Sequence, residues 1–159
     1  FGTGNHETTL MCIKLLEKYV KSGYKVYDVG CGSGILGITA ANLGAEDVLC
    51  VDLDQVACKV AEENVKVNGE EKRIEVKNCN LLDAATEEAD LIVANIIADI
   101  IISFTPQTLR FLKPGGIFIS SGIISDRRDD VINELNKHQF SILEISQMGE
   151  WCAIAAKRG

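Results

Sequence analysis

Hydrophobic and polar positions along the chain follow two periods. Near the start, Ile13, Leu16 and Val20 recur at spacings of three and four, which predicts an amphipathic helix over residues 8–21 that ends at Ser22-Gly23. Further on, short unbroken apolar runs are bounded by glycine, asparagine and charged residues, a pattern typical of buried strands. These predicted strands are KVYDVG, DVLCVDLD, RIEVKN, ADLIVANI and IFISSGI.

Helix-forming stretches separate the predicted strands. They are SGILGITAANLG, QVACKVAEENVKVNG, residues 97–112, which we expect Pro106 to interrupt, and SDRRDDVINELNKH. This alternation predicts an α/β fold, a three-layer sandwich with helices on both faces of a mostly parallel sheet. The last two strands, FSILEISQMG and EWCAIAAKR, are joined by a short turn and must therefore pair antiparallel.

The segment DVGCGSGILG, residues 28–37, matches two glycine patterns at once. From Gly32 it reads G-x-G-x-x-G, the fingerprint of dinucleotide sites. From Asp28 it reads D-x-G-x-G-x-G, the loop that S-adenosylmethionine (SAM) enzymes place at the same position. In both cases glycines let the backbone approach the ligand, and an acidic residue at the end of the second strand binds ribose hydroxyls. Asp52 fills that place, and Asp54 is the alternative.

The residue before the loop separates the two interpretations. A dinucleotide brings a negatively charged diphosphate against the glycine turn, where a carboxylate at Asp28 would repel it. SAM instead carries a sulfonium and an ammonium, which a nearby carboxylate favours. Asp28 therefore favours SAM, and a buried aspartate that holds backbone N–H groups is an equally open role for it. The antiparallel tail also favours a methyltransferase, because dinucleotide domains usually continue with parallel strands.

Composition narrows the class of protein. The chain has 159 residues and a net charge of -7, which suits one domain and disfavours broad binding to nucleic acid. Its six cysteines form no C-x-x-C motif, so we expect reduced thiols and no metal site. No apolar run is long enough for a membrane span, and we expect a cytoplasmic protein. The chain begins at Phe1 within a motif, so we expect it to be a piece of a longer protein.

Five segments together resemble a known family: FGTGNHETT, DVGCGSGILGI, VDLD, VANI and the terminal EWCAIAAKR. They are similar to the ribosomal protein L-eleven methyltransferases of the PrmA type, over essentially all 159 residues in order. The resemblance implies a Rossmann-like, seven-stranded SAM methyltransferase domain over residues 1–159, with an antiparallel last strand. It also implies transfer of methyl groups from SAM, leaving S-adenosylhomocysteine, to lysine side chains and the N-terminal amine of a large-subunit ribosomal protein. The family carries an N-terminal substrate-recognition domain that we expect to be absent from this chain.

The resemblance also assigns cofactor-binding positions. Thr9, Gly30, Asp52 and Asn95 match family positions that bind SAM, and Cys31 and Gly32 lie in the same loop. Asp28 is a cofactor-binding candidate by the electrostatic argument above. After the third strand, Asn80 lies where many methyltransferases hydrogen-bond the adenine N6 group, since its amide oxygen can accept that bond, and Leu81 would pack against the ring.

The segment that starts at Asn95 reads N-I-I-A, where amide-nitrogen methyltransferases carry N-P-P-Y. The missing proline and aromatic residues disfavour a planar amide as acceptor and suit a flexible amine. Two roles are open for Asn95: its side-chain oxygen positions the incoming amine, or the residue holds the methionyl end of the cofactor. His6 is a second candidate, as acceptor of the amine proton or as a hydrogen-bonded loop residue. The catalytic base is not identified, and the alternatives are methylation of RNA or a small molecule, or a dinucleotide oxidoreductase.

Overall fold

The computed structural model describes residues 5–159, so residues 1–4, the start of the motif FGTGNHETT, lie outside the described part of the chain. Within that part the elements are, in order, α1 (Asn5–Tyr19), β1 (Lys25–Val29), α2 (Ile35–Asn42), β2 (Asp47–Asp52), α3 (Gln55–Val67), β3 (Ile74–Asn78), β4 (Ala89–Asn95), α4 (Ala98–Phe111), β5 (Leu112–Ile124), a short 3₁₀ turn (Ser125–Arg127), α5 (Arg128–Lys137), β6 (Phe140–Met148) and β7 (Trp151–Arg158).

The seven strands form one sheet in the order β3-β2-β1-β4-β5-β7-β6. Strands β1 to β5 pair in parallel, whereas β7 runs antiparallel to both β5 and β6. This confirms the predicted α/β fold with a mostly parallel sheet and an antiparallel last strand. The hairpin of β6 and β7 is present as expected, and β7 inserts between β5 and β6, so β6 forms one edge of the sheet.

Two local predictions differ from the structure. The first helix begins at Asn5 rather than at residue 8, so Thr8 lies inside the helix. Pro106 was expected to interrupt the helical stretch, but α4 runs unbroken from Ala98 to Phe111 with Pro106 inside it. Ile101 and Phe104 on the same helix are fully buried, and this packing outweighs the loss of one backbone hydrogen bond at the proline.

The core lies in two layers because successive strand residues face opposite sides of the sheet. On one side, Val26, Cys50 and Val93 pack against α1, α2 and α3. On the other side, Tyr27 and Ile92 pack against α4 and α5. Strands buried on both faces explain the unbroken apolar runs in the sequence. No helix in the described residues is long and apolar enough to cross a membrane.

The sheet places the glycine segment and Asn95 side by side. The strand order reverses between β1 and β4, and ligands of open α/β sheets bind at the carboxyl ends of the strands at such a switch point. The glycine segment follows β1 directly, and Asn95 is the last residue of β4. In the pairing of these two strands Val29 lies opposite Ala94, so Gly30 and Asn95 meet at this edge.

Candidate functional site

A cavity of about 660 Å³ opens at the switch point between β1 and β4. Its size falls within the range that small-molecule sites commonly have. Four segments contribute to its wall: the start of α1, the glycine loop, the first turn of α2 and the end of β4. The lining residues are His6, Thr9, Leu10, Ile13, Gly30, Cys31, Gly32, Ser33, Ile35, Leu36 and Asn95.

The glycine loop, residues 30–34, is held by its own backbone hydrogen bonds. The N–H groups of Gly30 and Cys31 both donate to the carbonyl of Val51 at 2.9 Å, and that of Gly34 donates to the carbonyl of Cys31 at 2.8 Å. These N–H groups are therefore unavailable to an anion. A diphosphate bound at a glycine loop relies on such groups being free.

Glycine is required in this loop for two separate reasons. Gly30, Gly32 and Gly34 have φ values of 70°, 54° and 84°, in the left-handed region that glycine adopts most easily. A Cβ at Gly30 would lie 2.5 Å from Cγ2 of Ile96, whereas a Cβ at Gly32 would meet nothing within 4 Å. Gly30 thus allows close packing against the chain after β4, and Gly32 leaves space above the loop.

Asp52 closes the loop from the end of β2. One carboxylate oxygen accepts the N–H of Gly32 at 2.9 Å, and the other accepts the N–H of Asp54 at 2.8 Å. Each oxygen has a further lone pair, so the carboxylate is able to accept hydrogen bonds from ribose hydroxyls. Asp54, the alternative, is the N-cap of α3 and accepts the N–H of Val56 at 2.9 Å. The structure therefore gives Asp54 a local role in the helix.

Asp28 does not line the cavity. Its side chain is 1 % exposed, and one oxygen accepts the N–H of Gly37 in α2 at 2.9 Å. Burial raises the pKa of the Asp28 carboxyl to about 7, so near neutral pH much of it carries no charge. These contacts match the second of its two open roles, a buried aspartate that holds a backbone N–H group. They weaken the electrostatic argument that the sequence suggested.

Asn80 and Leu81 lie in the turn after β3 and are not among the lining residues of the cavity. Asn80 is exposed, and its carbonyl accepts the N–H of Asp83 at 3.0 Å. Leu81 is half-buried and has a φ of 50°, a backbone conformation that a bulky residue rarely adopts. The turn lies at the same edge of the sheet as Asp52, because Asp52 and Asn78 pair in the β2–β3 register. The predicted contacts of these two residues with adenine stay predictions.

Asn95 lines the cavity and connects it to the first helix. Its Nδ2 donates to Oγ1 of Thr8 at 3.3 Å. Ser121, the β5 residue that pairs with Asn95, donates its hydroxyl to the backbone carbonyl of Thr8 at 3.2 Å. Oδ1 of Asn95 is buried and has no hydrogen-bond partner among the residues described. A buried amide oxygen without a donor is unfavourable, so the partner of this atom has to come from outside the described residues.

Sequence reasoning predicted part of this wall and missed the rest. His6, Thr9, Gly30, Cys31, Gly32 and Asn95 were predicted and line the cavity. His6 is exposed. The apolar residues Leu10, Ile13, Ile35 and Leu36 were not predicted to line the cavity. In the structure, Leu10 and Ile35 are 42 % and 46 % exposed. Leu10 directly follows the segment FGTGNHETT, and Ile35 and Leu36 lie within DVGCGSGILG, so their position in or beside these motifs was the signal in the sequence.

Comparisons with known proteins identify the family. The family model described as "Ribosomal protein L11 methyltransferase (PrmA)" matches residues 1–159. The ribosomal protein L11 methyltransferase of Alkaliphilus metalliredigens is 52% identical over 157 residues, which are 99% of this chain and 50% of that protein. That of Caldicellulosiruptor bescii is 48% identical over 158 residues, 99% of this chain and 51% of that protein. The chain thus spans about half the length of the curated relatives it matches.

Solved structures show the same relationship. The crystal structure of a ribosomal protein L11 methylase from Lactobacillus delbrueckii subsp. bulgaricus superposes with a TM-score of 0.93 at 36% identity, covering 98% of this chain and 80% of that one. An RNA methyltransferase from Salinibacter ruber in complex with S-adenosyl-L-homocysteine has a TM-score of 0.76 at 18% identity, covering 99% and 93% of the two chains, and shows the fold alone. With the family model, the relatives and the shared fold in agreement, this chain belongs to the ribosomal protein L11 methyltransferase (PrmA) family.

Proposed function

We propose that this domain binds SAM in the cavity between β1 and β4 and serves methyl transfer to amino groups of ribosomal protein L11. The observation that carries the proposal is the glycine loop, whose N–H groups at Gly30, Cys31, Gly32 and Gly34 are already bonded within the protein. These four N–H groups are not free to bind an anion, while the glycines still let a ligand approach the backbone closely. The loop therefore suits an adenosyl group with a cationic sulfonium better than a diphosphate.

The residues present fit the cofactor. Gly32 leaves open space where a Cβ would project, and Asp52 has carboxylate lone pairs left for ribose hydroxyls. Asn95 and Thr9 lie on the cavity wall beside the loop. Asn80 and Leu81 hold the adenine in this proposal, from the turn after β3. When bound, SAM supplies an electrophilic methyl group.

The protein then has to present a neutral amine in line with that methyl group. A lysine amine ordinarily has a pKa of about 10.4, and desolvation in the cavity lowers this pKa, since burial disfavours the charged form. We assign to Asn95 the orientation of the methionyl end or of the amine, because its Oδ1 lacks a partner in the described chain. His6, exposed and on the cavity wall, is the candidate to pass the amine proton to solvent.

The acceptor rests on family membership. The matched relatives are named ribosomal protein L11 methyltransferases, and this chain spans about half their length. We therefore propose that the domain supplies the cofactor site and the transfer step. Lysine side chains and the N-terminal amine of ribosomal protein L11 are the proposed acceptors, and a cytoplasmic location remains a prediction from the sequence.

Titration calorimetry of this chain with SAM and with NAD tests the cofactor. We expect SAM to bind and NAD to show no heat above dilution. Asp52→Ala removes a charge-assisted pair of hydrogen bonds, and we expect about 30- to 100-fold weaker SAM binding. Asp54→Ala removes the same charge two residues away and should leave SAM affinity within about twofold, since its carboxylate caps α3. Tight NAD binding without SAM binding would overturn the proposal, and the reverse order of the two variants would move the ribose contact to Asp54.

Labelled SAM and ribosomal protein L11, and separately ribosomal RNA, are offered to the full-length protein that contains this domain to test the acceptor. We expect label in the protein and none in the RNA. Label in the RNA alone would reassign the acceptor while leaving the SAM site in place.

A further inference from the structure

Thr8 occupies an unusual position for a helical threonine. It is the fourth residue of α1, so its hydroxyl is not an N-cap, and the residue is completely buried. Its hydroxyl accepts the Nδ2–H of Asn95 at 3.3 Å, and its carbonyl accepts the hydroxyl of Ser121 at 3.2 Å. The residues in these two contacts are 87 and 113 positions apart in the chain. Thr8 therefore joins α1 to the ends of β4 and β5 at the cavity.

The opposite side of the Asn95 amide is enclosed by β5. Ser121 and Gly122 form a bulge, since the pairing with β7 shifts between Ser120 and Ile123. Gly122 has a φ of 81°, and a Cβ there would lie 3.0 Å from Oδ1 of Asn95 and 2.7 Å from the carbonyl oxygen of Ile96. Bulges beside active sites commonly re-aim a side chain. Here the bulge directs the Ser121 hydroxyl to Thr8 and lets the Asn95 amide pack against a bare backbone.

The orientation of the amide decides which way its oxygen and its N–H groups face. An amide group presents two N–H donors on one side and an oxygen on the other, and its partners choose between the two orientations. With Nδ2 donating to the Thr8 hydroxyl, Oδ1 lies on the Gly122 side of the amide, and no described residue donates to it. A donor for that oxygen therefore has to come from outside the described residues.

We propose that Thr8 is a positioning residue: its buried hydroxyl fixes the orientation of the Asn95 amide, and so sets the contact that Asn95 makes in the cofactor cavity. The proposal rests on the proposed function of Asn95. In this proposal Thr8 acts through Asn95 and, by its carbonyl, through Ser121. Thr9, the next residue, lines the cavity itself, so the two neighbouring threonines have different roles.

A double-mutant cycle on SAM affinity tests the coupling. Thr8→Val keeps the shape and removes the hydroxyl, and losing one hydrogen bond of ordinary strength should weaken SAM binding about 5- to 10-fold. Thr8→Ser keeps the hydroxyl and should stay within about twofold of the wild type. Asn95→Ala should weaken binding about 10-fold, and adding Thr8→Val to it should weaken binding no further. Thr105→Val is the matched control, since Thr105 is equally buried but lies on α4 and bonds Ile101.

A measurement without cofactor separates this proposal from the proposed function. In ¹H–¹⁵N spectra of the ligand-free protein, the side-chain amide signals of Asn95 should shift in Thr8→Val and return towards their wild-type positions in Thr8→Ser. If the wild type binds no SAM but these signals move as described, the proposed function fails and the positioning role of Thr8 stands. If Thr8→Val does not fold, Thr8→Ala is compared with Thr8→Ser, which differs from it by one hydroxyl. Unmoved Asn95 signals, or losses that multiply in the double variant, would overturn the proposal.

Discussion

The two halves of the cavity wall are built in different ways. On the β1 side, the glycine loop and Asp52 are connected by backbone N–H groups and one carboxylate, between residues about twenty positions apart. On the β4 side, Thr8, Asn95 and Ser121 are side chains that meet from three distant segments. The first half is specified by a local motif. The second half exists only when α1, β4 and β5 have come together.

This difference predicts how each half responds to substitution. In the loop half, which is the glycine segment with Asp52, glycine conformation and packing should govern the free energy of unfolding, and Asp52 should govern ligand affinity. In the Asn95 half, which is Thr8, Asn95 and Ser121, loss of single hydrogen bonds should act on ligand affinity, and only crowding at Gly122 should also lower the free energy of unfolding. Three further experiments, in order of decreasing effect, probe this contrast.

Asp28→Asn tests the buried carboxyl beneath the loop half. Its pKa in the folded protein, about 7, is raised above the value of 3.8 expected when unfolded, mainly by burial. The protonated carboxyl is therefore favoured by folding, and its contribution to stability is complete below pH 3.8 and is lost as the pH rises through 7. Over that window the unfolding free energy of the wild type should fall relative to Asp28→Asn by about 4 kcal/mol.

The measurement is urea unfolding of both proteins between pH 4 and 8. Cys50→Ala serves as control, because it removes the thiol that donates to Asp28 at 3.9 Å but keeps the carboxyl. Parallel stability curves for the wild type and Asp28→Asn would show that burial does not shift the titration of this group.

Gly37→Ala tests the packing of α2 against β2. A Cβ at Gly37 would lie 2.3 Å from Sγ of Cys50 and 3.3 Å from Cγ1 of Val48. Overpacking of this kind should lower the unfolding free energy by about 3 kcal/mol. Adding Cys50→Ala removes the closest atom and should restore at least half of the loss; no restoration would place the strain elsewhere. Thermal and urea unfolding measure both variants.

Gly122→Ala and Gly32→Ala compare the two halves directly. Both residues have left-handed φ values, but only Gly122 is crowded, by the Ile96 carbonyl and the Asn95 amide. Gly32→Ala should lower the unfolding free energy by about 1 kcal/mol, and Gly122→Ala by about 2 kcal/mol. Equal losses would contradict the crowding at Gly122. SAM affinity, measured alongside, should fall in both, because one side chain enters the cavity and the other displaces Asn95.

The predictability of the site follows the same division. The glycine segment at residues 28–37 and the acidic residue Asp52 could be predicted from the sequence, because strand, loop and helix follow one another along the chain. The sequence placed Thr8 only at the predicted start of the first helix. Its partners Asn95 and Ser121 are too distant in the chain for any sequence pattern to connect them to Thr8. Leu10 and Ile35 were missed since an apolar residue on a helix is usually part of the core.

The sequence by itself determined the order of strands and helices along the chain, the position of the glycine loop, the family, and the edge of the sheet where the cavity lies. These follow from periodicity, local conformation and chain order. Only the tertiary structure decided the state of Asp28 and the partner of Asn95. Burial controls the charge of Asp28, and the meeting of three separate segments controls the orientation of the Asn95 amide. Neither burial nor a long-range contact can be derived from residues that are adjacent in the sequence.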